Sequence, residues 1–280
     1  MSSFWPNPIL LQIGPVAIHW YGLMYALTFL IAYYILQRSK PGRALPLTIN
    51  QKDNLLISII IGIILGARLG YIIFYNATYY LSNPLKILAV WEGGLSFHGG
   101  VIGTIIAALL FTGWHKKRHG KNPEPKISFF QITDIAVLIT PIGIMLGRIG
   151  NFINAELYGR ISPTGNFCLN FPTDPANCRY PSQLFESASE GLLLLIIMFT
   201  LARRNHKPGQ LSGVFLILYG IIRFINEFFR EPDVQLGFIA NIPGLAAITM
   251  GQILSAILIL VGLITLIAIR KKPAHPHIKA

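Results

Sequence analysis

Apolar residues fill seven long runs of this chain, at about 19–37, 55–75, 97–114, 129–149, 184–202, 211–229 and 249–269. Each approaches the roughly 20 residues that a helix needs to cross a bilayer. The pattern therefore predicts an all-α, polytopic membrane protein with about seven transmembrane helices. Runs four and five are the least regular, because polar residues stand close to their ends. The connections are mostly short, which predicts a single integral membrane domain over 1–280, with external loop regions at 76–93 and 151–183. The second of these is long and rich in Asn, Pro and Gly, and a loop of that length is usually functional or disordered. A further external stretch is expected from Arg230 to Pro243.

Charge gives the expected orientation. One alternating set of loops, with the C-terminal tail, holds Arg38, Lys40, Arg43, Lys52, Lys116, Lys117, Arg118, Lys121, Lys126, Arg203, Arg204, Lys207, Arg270, Lys271, Lys272 and Lys279. That is 16 of the 23 Lys and Arg, whereas only Lys86, Arg160 and Arg179 fall clearly in the opposite loops. The excess predicts an external N-terminus and a cytoplasmic C-terminus. It also accounts for the net charge of +12 through attraction to anionic cytoplasmic lipid, with no nucleic-acid partner required. No Lys or Arg precedes Arg38, so the first run lacks the charged start of a cleavable signal peptide and is expected to remain. Tyr75, Tyr79, Tyr80 and Trp91 suit an interfacial belt, and Tyr79-Tyr80 suggests a segment lying on the membrane.

Two polar clusters interrupt the apolar background, Gly147 to Gly159 and Gly94 to Gly100. Arginine, asparagine and glutamate are costly near hydrocarbon, so such clusters mark a functional site. The predicted topology gathers rare polar residues in the outer half. Tyr21 opens run one, Arg68 lies in the outer half of run two, and His98 opens run three. Arg148 closes run four, Glu186 and Glu190 open run five, and Arg223, Glu227 and Arg230 lie toward the outer end of run six. Tyr219, Arg223 and Glu227 are spaced by four and stack on one helical face.

Arg148 and Arg223 form a suitable phosphate clamp, because the guanidinium fork matches phosphate oxygens. For Glu227 a structural ion pair with Arg223 stays open. His98 is read equally as a general base or as a structural hydrogen-bonding residue. Asn151 and Asn154 offer neutral donors and acceptors, or serve as helix-capping and turn residues. Glu156 could accept from a hydroxyl or lock an arginine. Cys168 and Cys178 share the predicted external loop, where a disulfide is expected, with two free thiols as the alternative. No Cys, His or carboxylate spacing suggests a metal site.

These residues resemble the prolipoprotein diacylglyceryl transferase family. Gly147 to Gly159 is similar to its signature, G-R-x-G-N-F-x-N-x-E-x-x-G, at every fixed position. His19 to Tyr25, Ser96-Phe97-His98-Gly99-Gly100, Pro181-Ser182-Gln183-Leu184 with Glu186, and Tyr219 to Arg230 resemble further family blocks in the same order. The resemblance implies a bacterial plasma-membrane enzyme that needs no metal or organic cofactor. Such an enzyme moves the diacylglyceryl group of phosphatidylglycerol to the lipobox cysteine of a prolipoprotein, just after its signal sequence. A thioether forms and glycerol phosphate leaves.

By the same resemblance Arg148 and Arg223 hold the phosphate, and His98 takes the thiol proton or positions a substrate. Tyr21, Asn151, Asn154, Glu156 and Gly159 shape the headgroup site, with Arg68 among the substrate-binding residues. Glu186, Tyr219 and Glu227 support the arginines, and Arg230 could instead anchor at the interface. Tyr180 stands where some relatives carry histidine and is assigned no role. On the residues alone, a transporter of an anionic substrate and a non-catalytic lipid-binding scaffold are the competing readings. A transporter would carry polar residues into the inner half as well, where mainly Asp134 stands.

Overall fold

The computed structural model describes residues 5–14, 16–119, 126–231, 238–240 and 248–270. Lys121 of the basic loop, and Lys271, Lys272, His275, His277 and Lys279 of the tail, lie outside the described residues, as does most of the stretch from Arg230 to Pro243. The long helices are α1 (Trp20–Arg38), α2 (Ile49–Tyr75), α3 (Phe97–His119), α4 (Phe129–Ile153), α5 (Ser182–Ala202), α6 (Gln210–Asn226) and α7 (Met250–Arg270). Among the described residues six are long and apolar enough to cross a membrane. The exception, α6, has 17 residues and spans about 26 Å at the α-helical rise, short of a hydrocarbon core of about 30 Å. This is a polytopic, all-α membrane protein.

Hydropathy marks the apolar runs, but caps decide where the helices end. Thus α2 begins six residues before its apolar run, at a capping box in which Thr48 Oγ1 accepts from Gln51 N at 3.3 Å and Gln51 Oε1 accepts from Thr48 N at 2.9 Å. Likewise α4 continues through Gly150-Asn151-Phe152-Ile153, so the region 151–183 opens as helix. Between α4 and α5 lies a hairpin of Leu169–Phe171 with Asp174–Arg179, where Cys168 and Cys178 form a disulfide. Two more antiparallel hairpins pair Ile9–Ile13 with Val16–His19 ahead of α1, and Phe238–Ala240 with Ile248–Thr249 ahead of α7.

The chain forms two compact units, Ala32–Thr133 and Met1–Ile31 with Asp134–Ala280, and α1 and α4 each pass from one to the other. In the unit Ala32–Thr133, α2 and α3 meet along a seam of small residues. Gly62, Gly66 and Gly70 face Gly99, Gly103 and Ala107. A methyl group on Gly70 would stand 2.7 Å from the Gly99 Cα, so side chains there would force the helices apart. Association of this kind rests on van der Waals contact between close backbones. In the other unit α6 packs on α7 in the same manner, with Gly213 against Gly262 and Gly220 against Ser255 and Ile259.

The amino end of α6 is capped from another helix. Asp134 of α4, 5% exposed, accepts from Gly209 N at 2.6 Å, Ser212 N at 2.8 Å and Ser212 Oγ at 2.6 Å. The carboxylate meets the orphan amides and the positive end of the helix dipole. Asp134 is therefore spent on holding α6 to α4.

Candidate active site

Within the unit built from Met1–Ile31 and Asp134–Ala280, a cluster of three arginines and three glutamates gathers α4, α5 and α6. Arg148 Nη2 lies 2.5 Å from Glu186 Oε2, and Arg223 Nη1 lies 2.9 Å from the same oxygen. The two guanidinium groups therefore stand side by side, no further apart than those distances combined. Arg230 Nη1 approaches that oxygen to 3.7 Å. Arg223 also reaches Glu227 Oε2 at 2.8 Å, one helical turn away, and Glu190 Oε1 at 3.6 Å. Formal charges within the cluster balance.

Local structure explains how α5 delivers two acids. Residues Ser187–Leu193 form a π-helical segment in its middle, bounded by Glu186 and containing Glu190. Such segments widen the turn and recur at functional sites. Ser187 Oγ donates to Met145 O at 3.1 Å, fastening this segment to α4 one turn before Arg148. Asn226 Nδ2 bonds both Ser189 Oγ at 2.8 Å and Glu190 Oε1 at 2.9 Å, tying the end of α6 to it. Thr249, at the start of α7, donates its hydroxyl to Glu227 Oε1 at 3.0 Å.

Exposure sets the polarity of this cluster. The Glu186 and Glu190 side chains are 0% exposed, whereas Arg148, Arg223 and Arg230 retain 17%, 14% and 12%. Glu186 and Glu190 are wholly enclosed, while each of the three arginine side chains keeps some exposure. Buried carboxylates thus hold the arginines in register while leaving cationic surface for an anion.

The segment after Arg148 folds over on itself. Glu156 Oε1 accepts from Asn151 Nδ2 at 2.8 Å and from Asn154 Nδ2 at 3.3 Å, while Gln183 Nε2 donates to Glu156 O at 2.7 Å. Glu156 thus binds the asparagine amides. Ala155 and Leu157 take the left-handed backbone conformation, with φ of 53° and 55°, which lets the chain reverse after α4. Gly159 N donates to Tyr180 O at 2.8 Å and pairs with Arg230 in an isolated bridge. Tyr21 lies against Gly150, and its hydroxyl stands 3.4 Å from that of Tyr25. Tyr219 stacks on Phe215 with centroids 5.6 Å apart.

Arg68 and His98 belong to the other unit. His98 is exposed in the first turn of α3, its ring 5.7 Å from that of Phe97. Arg68 is 3% exposed and surrounded by backbone carbonyls.

Sequence reasoning overlooked four contributors. Arg160 donates to Arg230 O at 2.8 Å and Glu227 O at 3.3 Å. Asn226 and Thr249 orient the acids. Tyr180, set aside for its side chain, holds Gly159 with its backbone carbonyl and packs its ring on Phe185 and Phe229. That aromatic trio lines an apolar cavity of about 360 Å³ with Thr164, Asn166, Phe167 and Asn226. Only Asn226 carried a signal, since it lies one turn from Arg223 on α6 and three residues after it.

On the hairpin between α4 and α5 Asp174 pairs with Arg179, and Asn177 Nδ2 donates to Asp174 Oδ1 at 2.9 Å. The hydrogen bond from Arg179 holds the Asp174 carboxyl below the ordinary carboxylate range. Arg179 also covers the Tyr158 ring at 4.9 Å and donates to Gly159 O at 3.2 Å, so the hairpin grips the end of the signature segment.

Comparison with known proteins places the chain. The family model described as prolipoprotein diacylglyceryl transferase matches residues 8–268. A phosphatidylglycerol–prolipoprotein diacylglyceryl transferase of Geobacter sulfurreducens is 42% identical over 272 residues, 96% of this chain and 98% of the relative. The protein of the same name from Rickettsia bellii is 45% identical over 266 residues, 93% of this chain and 94% of the relative. That of Francisella tularensis subsp. novicida is 44% identical, over 94% of this chain and 93% of the relative. With its signature residues gathered around paired arginines, the chain belongs to the prolipoprotein diacylglyceryl transferase family.

Proposed function

We propose that this protein transfers the diacylglyceryl group of phosphatidylglycerol to the lipobox cysteine thiol of bacterial prolipoproteins, the first step of lipoprotein maturation. The names of its relatives support the two substrates. One structural observation supports the chemistry: two partly exposed arginine side chains lie side by side on one oxygen of a fully buried glutamate. Arg148 and Arg223 bind the phosphate of the lipid, and their charge favours its departure as a monoester.

In this reading His98 takes the thiol proton. The thiolate attacks the glyceryl carbon that bears the phosphate, the S–C bond forms, and the C–O bond breaks with its electrons leaving on glycerol phosphate. The displacement balances without a cofactor. Tyr21, Asn151, Asn154, Glu156 and Gly159 shape the headgroup site, and Glu186, Tyr219 and Glu227 support the arginines. The aromatic cavity of Tyr180, Phe185 and Phe229 receives an apolar side chain of the acceptor segment.

The excess of Lys and Arg in alternate loops supports seven crossings, with α6 the shortest, an external N-terminus and a site on the periplasmic side of the inner membrane. To test the activity, purified protein in phosphatidylglycerol micelles is given a synthetic lipobox peptide, and mass spectrometry follows the peptide. The wild type forms a diacylglyceryl adduct, and Arg148→Ala loses both adduct and glycerol phosphate release. A folded wild type yielding neither product refutes the assignment.

A further inference from the structure

In the unit that carries His98, every N–H of the Arg68 guanidinium is occupied. Its Nε donates to Ile87 O at 3.0 Å, Nη1 to Gly93 O at 2.6 Å and Gly94 O at 3.2 Å, and Nη2 to Lys86 O at 2.5 Å and Ala89 O at 3.1 Å. A guanidinium has five N–H bonds, and here five carbonyl oxygens receive them. Its flat face lies 4.8 Å from the centre of the Tyr80 ring. No donor is left for a lipid phosphate.

The carbonyls come from one irregular stretch, the 3₁₀ turns Pro84–Leu88 and Val90–Glu92 with Gly93 and Gly94. Irregular backbone near hydrocarbon is tolerated only when its polar groups are satisfied from within the protein. Gly93 and Gly94 adopt φ of 84° and 73°, which turns both carbonyls toward the guanidinium. The stretch then runs directly into α3. Ser96 N donates to Ala67 O at 2.9 Å, beside Arg68 on α2, and Ser96 Oγ accepts from Gly99 N at 3.3 Å, capping the turn that holds His98. The path from Arg68 through the Gly93-Gly94 carbonyls to Ser96 and His98 is continuous and short.

Resting on the transferase reading, we infer that Arg68 is a positioning residue: it binds no substrate, and it sets the height and direction of the His98 turn by gathering the five carbonyls of 86–94. Gly94 is its necessary complement. A methyl group there would stand 3.0 Å from Arg68 Nη1 and 2.6 Å from the Tyr71 ring, at a φ that L side chains rarely adopt.

The test compares Arg68→Lys, Gly94→Ala, His98→Gln and the double variant Arg68→Lys/His98→Gln with the wild type, using only monodisperse protein. Lysine keeps the charge but has neither the fork nor five donors. A displacement of the His98 turn lowers kcat by about 10²-fold in Arg68→Lys. KM for phosphatidylglycerol stays within about twofold, because no ground-state contact is lost. Gly94→Ala reproduces that split with no polar group of its own. The double variant is no slower than His98→Gln alone, since Arg68 acts through that histidine.

A raised KM with kcat intact in Arg68→Lys makes Arg68 a headgroup ligand and overturns the inference. Additive losses in the double variant make it a general structural residue and overturn it too, as does full activity of His98→Gln. An inactive wild type instead shows in the same assay that the transferase reading itself fails.

Discussion

Replacing Glu186 by glutamine probes the arginine pair at the point where both members converge. The substitution keeps the shape of a fully buried side chain and removes the charge that meets Arg148 at 2.5 Å and Arg223 at 2.9 Å. Breaking a buried ion pair by neutralising one partner costs about 3–5 kcal/mol. The remaining amide oxygen still accepts one bond, which puts the loss near the lower figure. At 1.36 kcal/mol per decade, about 3 kcal/mol lowers kcat/KM by about 10²-fold if the misalignment falls on transition-state binding. Glu190 meets Arg223 only at 3.6 Å and also accepts from Asn226, so Glu190→Gln impairs the enzyme less than Glu186→Gln. The assay is initial-rate adduct formation at several lipid concentrations, on protein with a wild-type elution profile. Glu186→Gln within fivefold of wild type, or less impaired than Glu190→Gln, refutes the claim that Glu186 aligns the arginines.

Further outcomes follow from other contacts. Asp134→Ala removes three short hydrogen bonds at the start of α6, so its thermal unfolding midpoint falls as about 3 kcal/mol or more is lost, while kcat per folded molecule holds. Cys168→Ser opens a loop of 10 residues and destabilises the hairpin between α4 and α5 by about 2–3 kcal/mol, read as faster proteolysis of that hairpin. Asp174, held below its ordinary range by Arg179, contributes stability above about pH 4 and loses it as the pH falls through the lowered value. Amide exchange in the hairpin, corrected for intrinsic rates, therefore accelerates only in strong acid, and Asp174→Asn abolishes that dependence. Phe229→Ala raises KM for an apolar lipobox peptide and leaves KM for phosphatidylglycerol unchanged, by steady-state kinetics.

How far the site could be read in advance depended on whether side chain or backbone makes each contact. The i, i+4 spacing of Arg223 on α6 and Glu227 just past its end announced a pair that the structure forms at 2.8 Å. Helical periodicity and apolar length located α1 to α5 and α7 for the same reason, since lipid selects side chains. The carbonyl partners of Arg68 were not foreseen because backbone oxygens have no identity in the sequence. Tyr180 was set aside for a like reason, since its carbonyl acts on Gly159 whatever its side chain. Helix ends drifted where caps or turns decide them. Run six was expected to reach 229, yet α6 stops at Asn226, and Glu227, Phe228 and Phe229 tighten into a turn. The hairpins escaped notice because strands such as Asp174–Arg179 are short and carry Asp, Pro and Asn, which disfavour β structure.

The central claim is a displacement at carbon, with phosphate leaving between Arg148 and Arg223. Phosphatidylglycerol carrying ¹⁸O in the bridge between its diacylglyceryl carbon and phosphorus tests it in one experiment. The wild type is incubated with that lipid and a lipobox peptide, and both products are weighed by mass spectrometry. Displacement at carbon gives an unlabelled diacylglyceryl peptide and the label wholly in glycerol phosphate. Label retained with the diacylglyceryl product, marking cleavage at phosphorus, would contradict it.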